Sequence, residues 1–160
     1  MRTRRKERRQ ALELLYEWDQ RRKPLRDIID TKREGGLGAR FGEFCLALVE
    51  GTLSHLPEID ATIARYSEDW TIERMPVVDR NILRLGVYEL LYGKGVPVAV
   101  TINECVELAK WYGSEDSRRF INGLLGKVAR EYRKAEAETK ASKEASEGEE
   151  RSAERRSRRP

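Results

Sequence analysis

A chain of 160 residues, 38% charged and 39% hydrophobic, can build one buried core and is too polar for a membrane-embedded protein. Its formal charge of +4 is unevenly placed: residues 2–9 carry six basic groups and one acidic, 134–160 nearly cancel, and the body between them is slightly acidic. That pattern argues against a uniformly basic, nucleic-acid-coating particle and for one localised anionic contact.

The first element combines both halves of such a contact. Arg2, Arg4, Arg5, Lys6, Arg8 and Arg9 run without a break into Ala11, Leu12, Leu14, Leu15, Tyr16 and Trp18. On a helix from Thr3, a candidate N-cap, to Gln20, the residues Ala11, Leu14, Leu15 and Trp18 share an apolar arc. Arg5, Arg9, Leu12 and Tyr16 fall along a neighbouring line. The C-terminal half then anchors a guanidinium-rich N-terminal half, which suits phosphate recognition by forked donors. Positive charge at a helix N-terminus opposes the macrodipole, and an anionic partner relieves that conflict.

Pro24 followed by Leu25, Ile28 and Ile29 predicts a short second helix, and the glycine-rich Glu34–Gly38 a loop. A third helix is marked by Phe41, Phe44, Cys45, Leu48, Val49 and Leu53, continuing through Ile59, Ile63 and Tyr66 with a kink at Pro57. Residues 70–76 read as a connector. Val77–Tyr92 is apolar nearly all round, which predicts a central helix, with Gly86 admitting a close neighbour. Asp79, Arg80, Arg84 and Glu89 on that helix are expected to form ion pairs, and Asp79 near its start could instead face a partner. Gly93–Pro97 breaks the helix. Thr101-Ile102-Asn103-Glu104 matches a capping box opening a fifth helix that ends before Gly113. A sixth, from Ser114 or Ser117, packs through Phe120, Ile121, Leu124, Leu125 and Val128.

After Tyr132 no aromatic or large aliphatic residue remains. Such a stretch cannot offset its ordering entropy by burial, so 134–160 is expected to be a disordered charged tail beside a helical domain over 1–133. The fold class is all-α, with about six to seven helices.

Cys45 and Cys105 lie in apolar helical pattern, as buried thiols of a reducing compartment would, and no Cys/His spacing suggests zinc. No apolar run approaches a membrane span and no signal peptide opens the chain, so a soluble, cytoplasmic protein is expected. His55 is the single histidine, with nothing marking it as a base, and Gly93-Lys94-Gly95 lacks the spacing of a phosphate loop. No constellation for acid–base, nucleophilic or metal chemistry is present: the expectation is a non-enzyme with no catalytic residue, cofactor or metal. Tyr112 and Phe120, flanked by Lys110, Arg118 and Arg119, fit a base-stacking platform for single-stranded RNA.

Three ordered motifs carry a resemblance. Val78-Asp79-Arg80-Asn81-Ile82-Leu83-Arg84-Leu85-Gly86-Val87-Tyr88-Glu89-Leu90, Val100-Thr101-Ile102-Asn103-Glu104-Cys105-Val106-Glu107-Leu108-Ala109-Lys110 and Phe120-Ile121-Asn122-Gly123-Leu124-Leu125 are similar to signatures of the NusB family of bacterial transcription antitermination factors. With the arginine-rich first helix, the likeness covers about residues 3–132. It implies two packed helical halves, binding to the boxA element of nascent ribosomal RNA together with NusE (a small-subunit ribosomal protein), and a place in the antitermination complex on elongating RNA polymerase. It carries RNA contact to Arg4, Arg5, Lys6 and Arg8, with less support for Arg9, and to Tyr112 and Phe120. It carries NusE contact to Tyr16 and Asp79, where aspartate replaces the glutamate of some members, and Glu7 interrupts the basic run. Two other functions suit the same helices: a purely protein-binding adaptor with solvated arginines, and a stand-alone relative of the N-terminal domain of RNA cytosine methyltransferases. Apolar groups exposed on the first helix would also suit a homodimer.

Overall fold

Thr3 opens the first helix as its sequence position suggests. Its backbone is extended, and its Oγ1 accepts a hydrogen bond from the Lys6 N–H at 3.2 Å. The computed structural model describes residues 3–35, 40–68, 70–93 and 95–158. Among them are seven α-helices: α1 (Arg4–Arg21), α2 (Leu25–Glu34), α3 (Glu43–Ser54), α4 (Leu56–Tyr66), α5 (Val77–Tyr92), α6 (Val98–Tyr112) and α7 (Glu115–Ser157). A 3-10 turn, Ile72–Arg74, lies in the connector before α5, and no strand occurs among the described residues. The expected loop over Glu34–Gly38 lies largely outside those residues, as does Lys94 of the Gly93-Lys94-Gly95 run.

The helices form two groups that share α5. α1 packs on α2 and α3, while α5 packs on α4 and α6 and also lies against α1 and α3. Leu14, Leu15, Val49, Ile59, Ile63, Ile82, Leu83, Leu85, Val87, Ile121 and Leu125 are all but inaccessible and form the core. Gly86 is small for a reason: a Cβ there would stand 2.8 Å from Leu125 Cδ1 and 3.0 Å from Cys105 Sγ. Both cysteines are buried, and burial pushes the Cys105 thiol far above its ordinary pKa.

Two boundaries differ from the sequence-based expectation. Pro57 does not kink one long helix. α3 ends at Ser54, and α4 restarts with Pro57 in its first turn, where a missing N–H costs nothing. The capping box at Thr101 is not used either, because α6 already begins at Val98, after Pro97. Thr101 lies inside the helix and is buried, and Glu104 turns outward to Arg5. The serines are used instead: Ser117 N–H donates to Ser114 Oγ and Ser114 N–H to Ser117 Oγ, closing the start of α7 reciprocally.

The chain divides into two units, Met1–Val128 and Ala129–Pro160. α7 is helical through residues 134–157, where the sequence predicts a disordered stretch. Ala, Glu, Lys and Arg favour helix locally, yet every described side chain from Arg130 onward is exposed. The physical premise, a segment with nothing to bury, is unaltered.

The interior is held by charge as well as by apolar packing. Asp19, buried on α1, accepts from Arg80 Nε at 2.6 Å and NH2 at 2.7 Å, from Asn81 Nδ2 at 3.0 Å and from Arg84 NH1 at 3.1 Å. Arg84 in turn reaches Asp60 on α4 at 2.9 and 3.0 Å. At the other end of α1, buried Arg8 forms a two-pronged pair with Glu89, the closest contact 2.7 Å. Residue numbers rise along α1 as they fall along α5, so the two helices are antiparallel. Burial alone would raise the Asp19 carboxyl pKa, but the hydrogen bonds from Arg80 and Asn81 and the charges of Arg84 and Arg80 hold it below its ordinary value.

The stability that Asp19 contributes is whole above the unfolded carboxyl value of about 4 and is lost as pH falls through the lower folded value. Asp19→Asn should cost roughly 3–5 kcal/mol at pH 7, because it leaves buried Arg84 and part-buried Arg80 short of a counter-charge. In denaturant unfolding followed by circular dichroism, the gap to the parent chain should narrow at pH 3. An unchanged gap would show that the carboxylate charge is not what Asp19 supplies.

Candidate nucleic-acid interface

Anchoring α1 at both ends fixes what its remaining basic groups can do. Arg4, Arg5, Lys6 and Arg9 are exposed. Arg5 keeps 61% of its side chain open while its Nε and NH2 donate to Glu104 on α6 at 3.1 and 2.9 Å. Those bonds and the Glu104 charge raise the guanidinium pKa, and the same contact lowers that of the Glu104 carboxyl. Arg4 stacks over the Phe44 ring at 4.9 Å. Arg4 and Arg5 are therefore held through their guanidinium groups while remaining exposed to solvent.

Arg8 is the exception. Expected to reach RNA, it is buried, and its guanidinium is spent on Glu89 beneath the Phe44 ring, whose centroid lies 5.1 Å away. The helical period explains it: Arg8 shares the inward face with Ala11, Leu12 and Leu15. Glu7 is also buried, against Gly42, so it does not interrupt the exposed basic surface.

Arg9 Nε lies 3.5 Å from the Tyr112 hydroxyl, which itself donates to Glu13 at 3.0 Å. Arg5 to Glu104 and Glu13 to Tyr112 advance in step, so α1 and α6 run parallel along a polar seam. Tyr112 and Tyr16, the latter 42% exposed, line one groove with Leu12, Glu17, Val78 and Lys32. Lys32 Nζ is held 2.7 Å from Glu17.

Phe120 and Asp79 meet elsewhere. They line a cleft of about 550 Å³ with Tyr66, Trp70, Pro76 and Ser117, and Arg119 and Lys127 stand at its rim. Trp70 meets Phe120 edge to face, centroids 5.3 Å apart. Asp79 is buried, and both its oxygens accept from Ser117 Oγ, at 2.8 and 3.0 Å. Burial raises its carboxyl pKa, with the serine hydrogen bond opposing. Of the four charges on α5 expected to pair, Arg80, Arg84 and Glu89 do, whereas Asp79 has a hydroxyl and no cation among the described residues.

The structure thus regroups the residues singled out from sequence. Tyr112 and Phe120, expected on one platform, line different clefts, as do Tyr16 and Asp79. Sequence reasoning missed Asp19, Glu104, Trp70 and Trp111. A signal existed for Trp70 and Trp111, because an indole in a polar stretch is unusual, and none for Asp19, an aspartate among other charges. His55 stays at the core edge, its ring centroid 4.0 Å from that of Tyr92. Among the described residues no His, Cys, Asp and Glu cluster could hold a metal, and no helix is long and apolar enough to cross a membrane.

The NusB family profile matches residues 5–130. The chain is 46% identical to the transcription antitermination protein NusB of Solibacter usitatus over 134 residues, covering 82% of this chain and 91% of that protein. It is 44% identical to the protein of the same name from Salinispora tropica over 136 residues, covering 81% and 96%. A solved structure of NusB from T. maritima superposes with a TM-score of 0.73 at 37% identity, over 82% of this chain and 94% of that one. A chain from a crystal structure of the antitermination factors NusB and NusE in complex with double-stranded RNA gives 0.71 at 30% identity, over 81% and 97%.

The different burial of two neighbouring arginines can be measured. Arg8→Ala should destabilise the chain by roughly 3–5 kcal/mol by stranding Glu89, whereas Arg5→Ala should leave the melting curve close to that of the parent. Joining Arg8→Met to Glu89→Leu should recover much of the loss. Equal melting temperatures for Arg8→Ala and the parent would mean that the pair anchors nothing.

Proposed function

The chain belongs to the NusB family, and from that premise we propose that it is an RNA-binding transcription antitermination factor. It binds boxA-type RNA of nascent ribosomal RNA together with NusE and joins elongating RNA polymerase in the cytoplasm. The observation that carries this reading is the anchored first helix: Arg8 and Asp19 fix α1 against α5, and Arg4, Arg5, Lys6 and Arg9 stand exposed on the fixed stem. Cations held this way lose little conformational freedom when they meet phosphates, and release of counterions from the RNA supplies the drive.

Phe120 and the aromatic cleft around it add a stacking surface, with Arg119 and Lys127 at the rim to meet backbone charge. The groove under Tyr16, continuous with Tyr112, is the surface we assign to NusE. Asp79 contributes through its own cleft, beside Phe120, because its carboxylate is buried. A second copy of the chain would compete for the Tyr16 groove. The protein acts by binding, with RNA and NusE as partners and no catalytic step.

Anisotropy titrations of a boxA-type RNA at several salt concentrations, with and without NusE, test the reading. Replacing Arg5 and Lys6 together by alanine should lower the slope of log affinity against log salt by about two units and leave the helical melt unchanged. An unchanged slope and affinity would eliminate α1 as the RNA site and favour the protein-only adaptor.

Truncation after Arg133 should preserve the melting temperature and NusE affinity, because nothing beyond it can enter a core. Any loss of RNA affinity should be confined to low salt, where basic groups near the end act over distances that salt screens within about 10 Å at 0.1 M. A lowered melting temperature would show that the segment docks.

A further inference from the structure

Trp111 is the most exposed of the large apolar side chains among the described residues, with 69% of its surface open at the C-terminal end of α6. It adds little to the core, and its indole N–H has no hydrogen bond among the described residues. An exposed indole is unfavourable in water and invites a partner. Its surroundings select which one. The Arg9 guanidinium carbon lies 6.0 Å from the ring centroid, and Arg5 is one helical turn further along the same edge of α1. Lys110 precedes it in the chain and is exposed.

We propose that Trp111, with Arg9 beside it, forms a stacking site for one unpaired RNA base, placed next to the phosphate-binding face of α1. The proposal rests on the RNA-binding reading above and extends it to a residue outside the motifs that led there. An aromatic face with a neighbouring guanidinium is the arrangement by which single-stranded nucleic acid is held with little base preference. Glu107, one turn before Trp111 on α6, and Glu104 both act on Arg5, so the α6 side of the seam is lined by carboxylates and the α1 side by cations. Trp111 therefore takes the base, while Arg5, Lys6 and Arg9 on α1 take the adjoining backbone. The parallel seam between α1 and α6 sets the spacing, through Arg5 to Glu104 at one end and Glu13 to Tyr112 at the other.

The full-length chain with NusE and a 3′-fluorescein-labelled single-stranded boxA-type RNA tests the site. Trp111→Ala should weaken binding about tenfold, Trp111→Phe should retain most of the affinity, and neither should change the salt slope, since no phosphate contact is lost. An abasic nucleotide moved along the RNA should find one position at which the parent loses affinity and Trp111→Ala loses no more. Full affinity in Trp111→Ala, in a chain whose slope still falls when Arg5 and Lys6 are replaced, would overturn the stacking site and leave the RNA reading standing. A loss of NusE affinity in Trp111→Ala without RNA would also overturn it, by making the indole a protein contact. A parent chain that binds no RNA at any salt would overturn both.

Discussion

Arg8 and Asp19 lie near opposite ends of α1, and each is tolerated in the interior because α5 supplies its counter-charge. Glu89 receives Arg8, while Arg80, Asn81 and Arg84 converge on Asp19. Apolar packing is permissive about how one helix slides or rotates on another. Buried charges are not, since a shift of one turn would strand a charge at each end. The pairs thus fix the register and direction of α1, and Arg84 extends the constraint through Asp60 to α4. The exposed arginines, the seam with α6 and the Tyr16 groove are all set by where α1 lies.

The surface built on this frame divides labour between neighbours in sequence. Arg8 anchors, while Arg5, about one turn before it, and Arg9, the next residue, remain available. Leu12 is buried, and Tyr16 one turn on is half open over the same groove. A comparable division occurs at α5, where Val78 faces the groove with Tyr16 while Asp79 faces the cleft with Phe120. One helical step separates the two surfaces, so the start of α5 contributes to both.

Much of the fold was legible in the sequence because it depends on period and punctuation. Val77–Tyr92 reads as a central helix from composition alone, and the Thr3 cap and the small Gly86 follow from local sterics. The break at Pro57 was harder, because a proline in a first helical turn and a proline at a kink look alike until the flanking residue His55 is seen ending α3. The site was only partly legible. The period puts Arg8 on the face of Ala11, Leu12 and Leu15, but a run of arginines does not show that one is tolerated there, since its counter-charge, Glu89, is distant in sequence. Placing Tyr112 and Phe120 together failed for a related reason: they flank a helix junction, and the chain turns at Gly113 to send them to different neighbours.

The span of the charge pairs also sets an order of events. Arg8 and Glu89 are 81 positions apart, Asp19 and Arg80 are 61 apart, and Arg5 and Glu104 are 99 apart. Closing contacts over such distances is slow compared with forming helices or nearby pairs. α1 can settle early on α2 and α3, which are near it in sequence, but its buried charges meet their counter-charges only when α5 and α6 are in place. Until then Arg5 and Arg8 remain solvated cations beside a hydrophobic stem that is already packed.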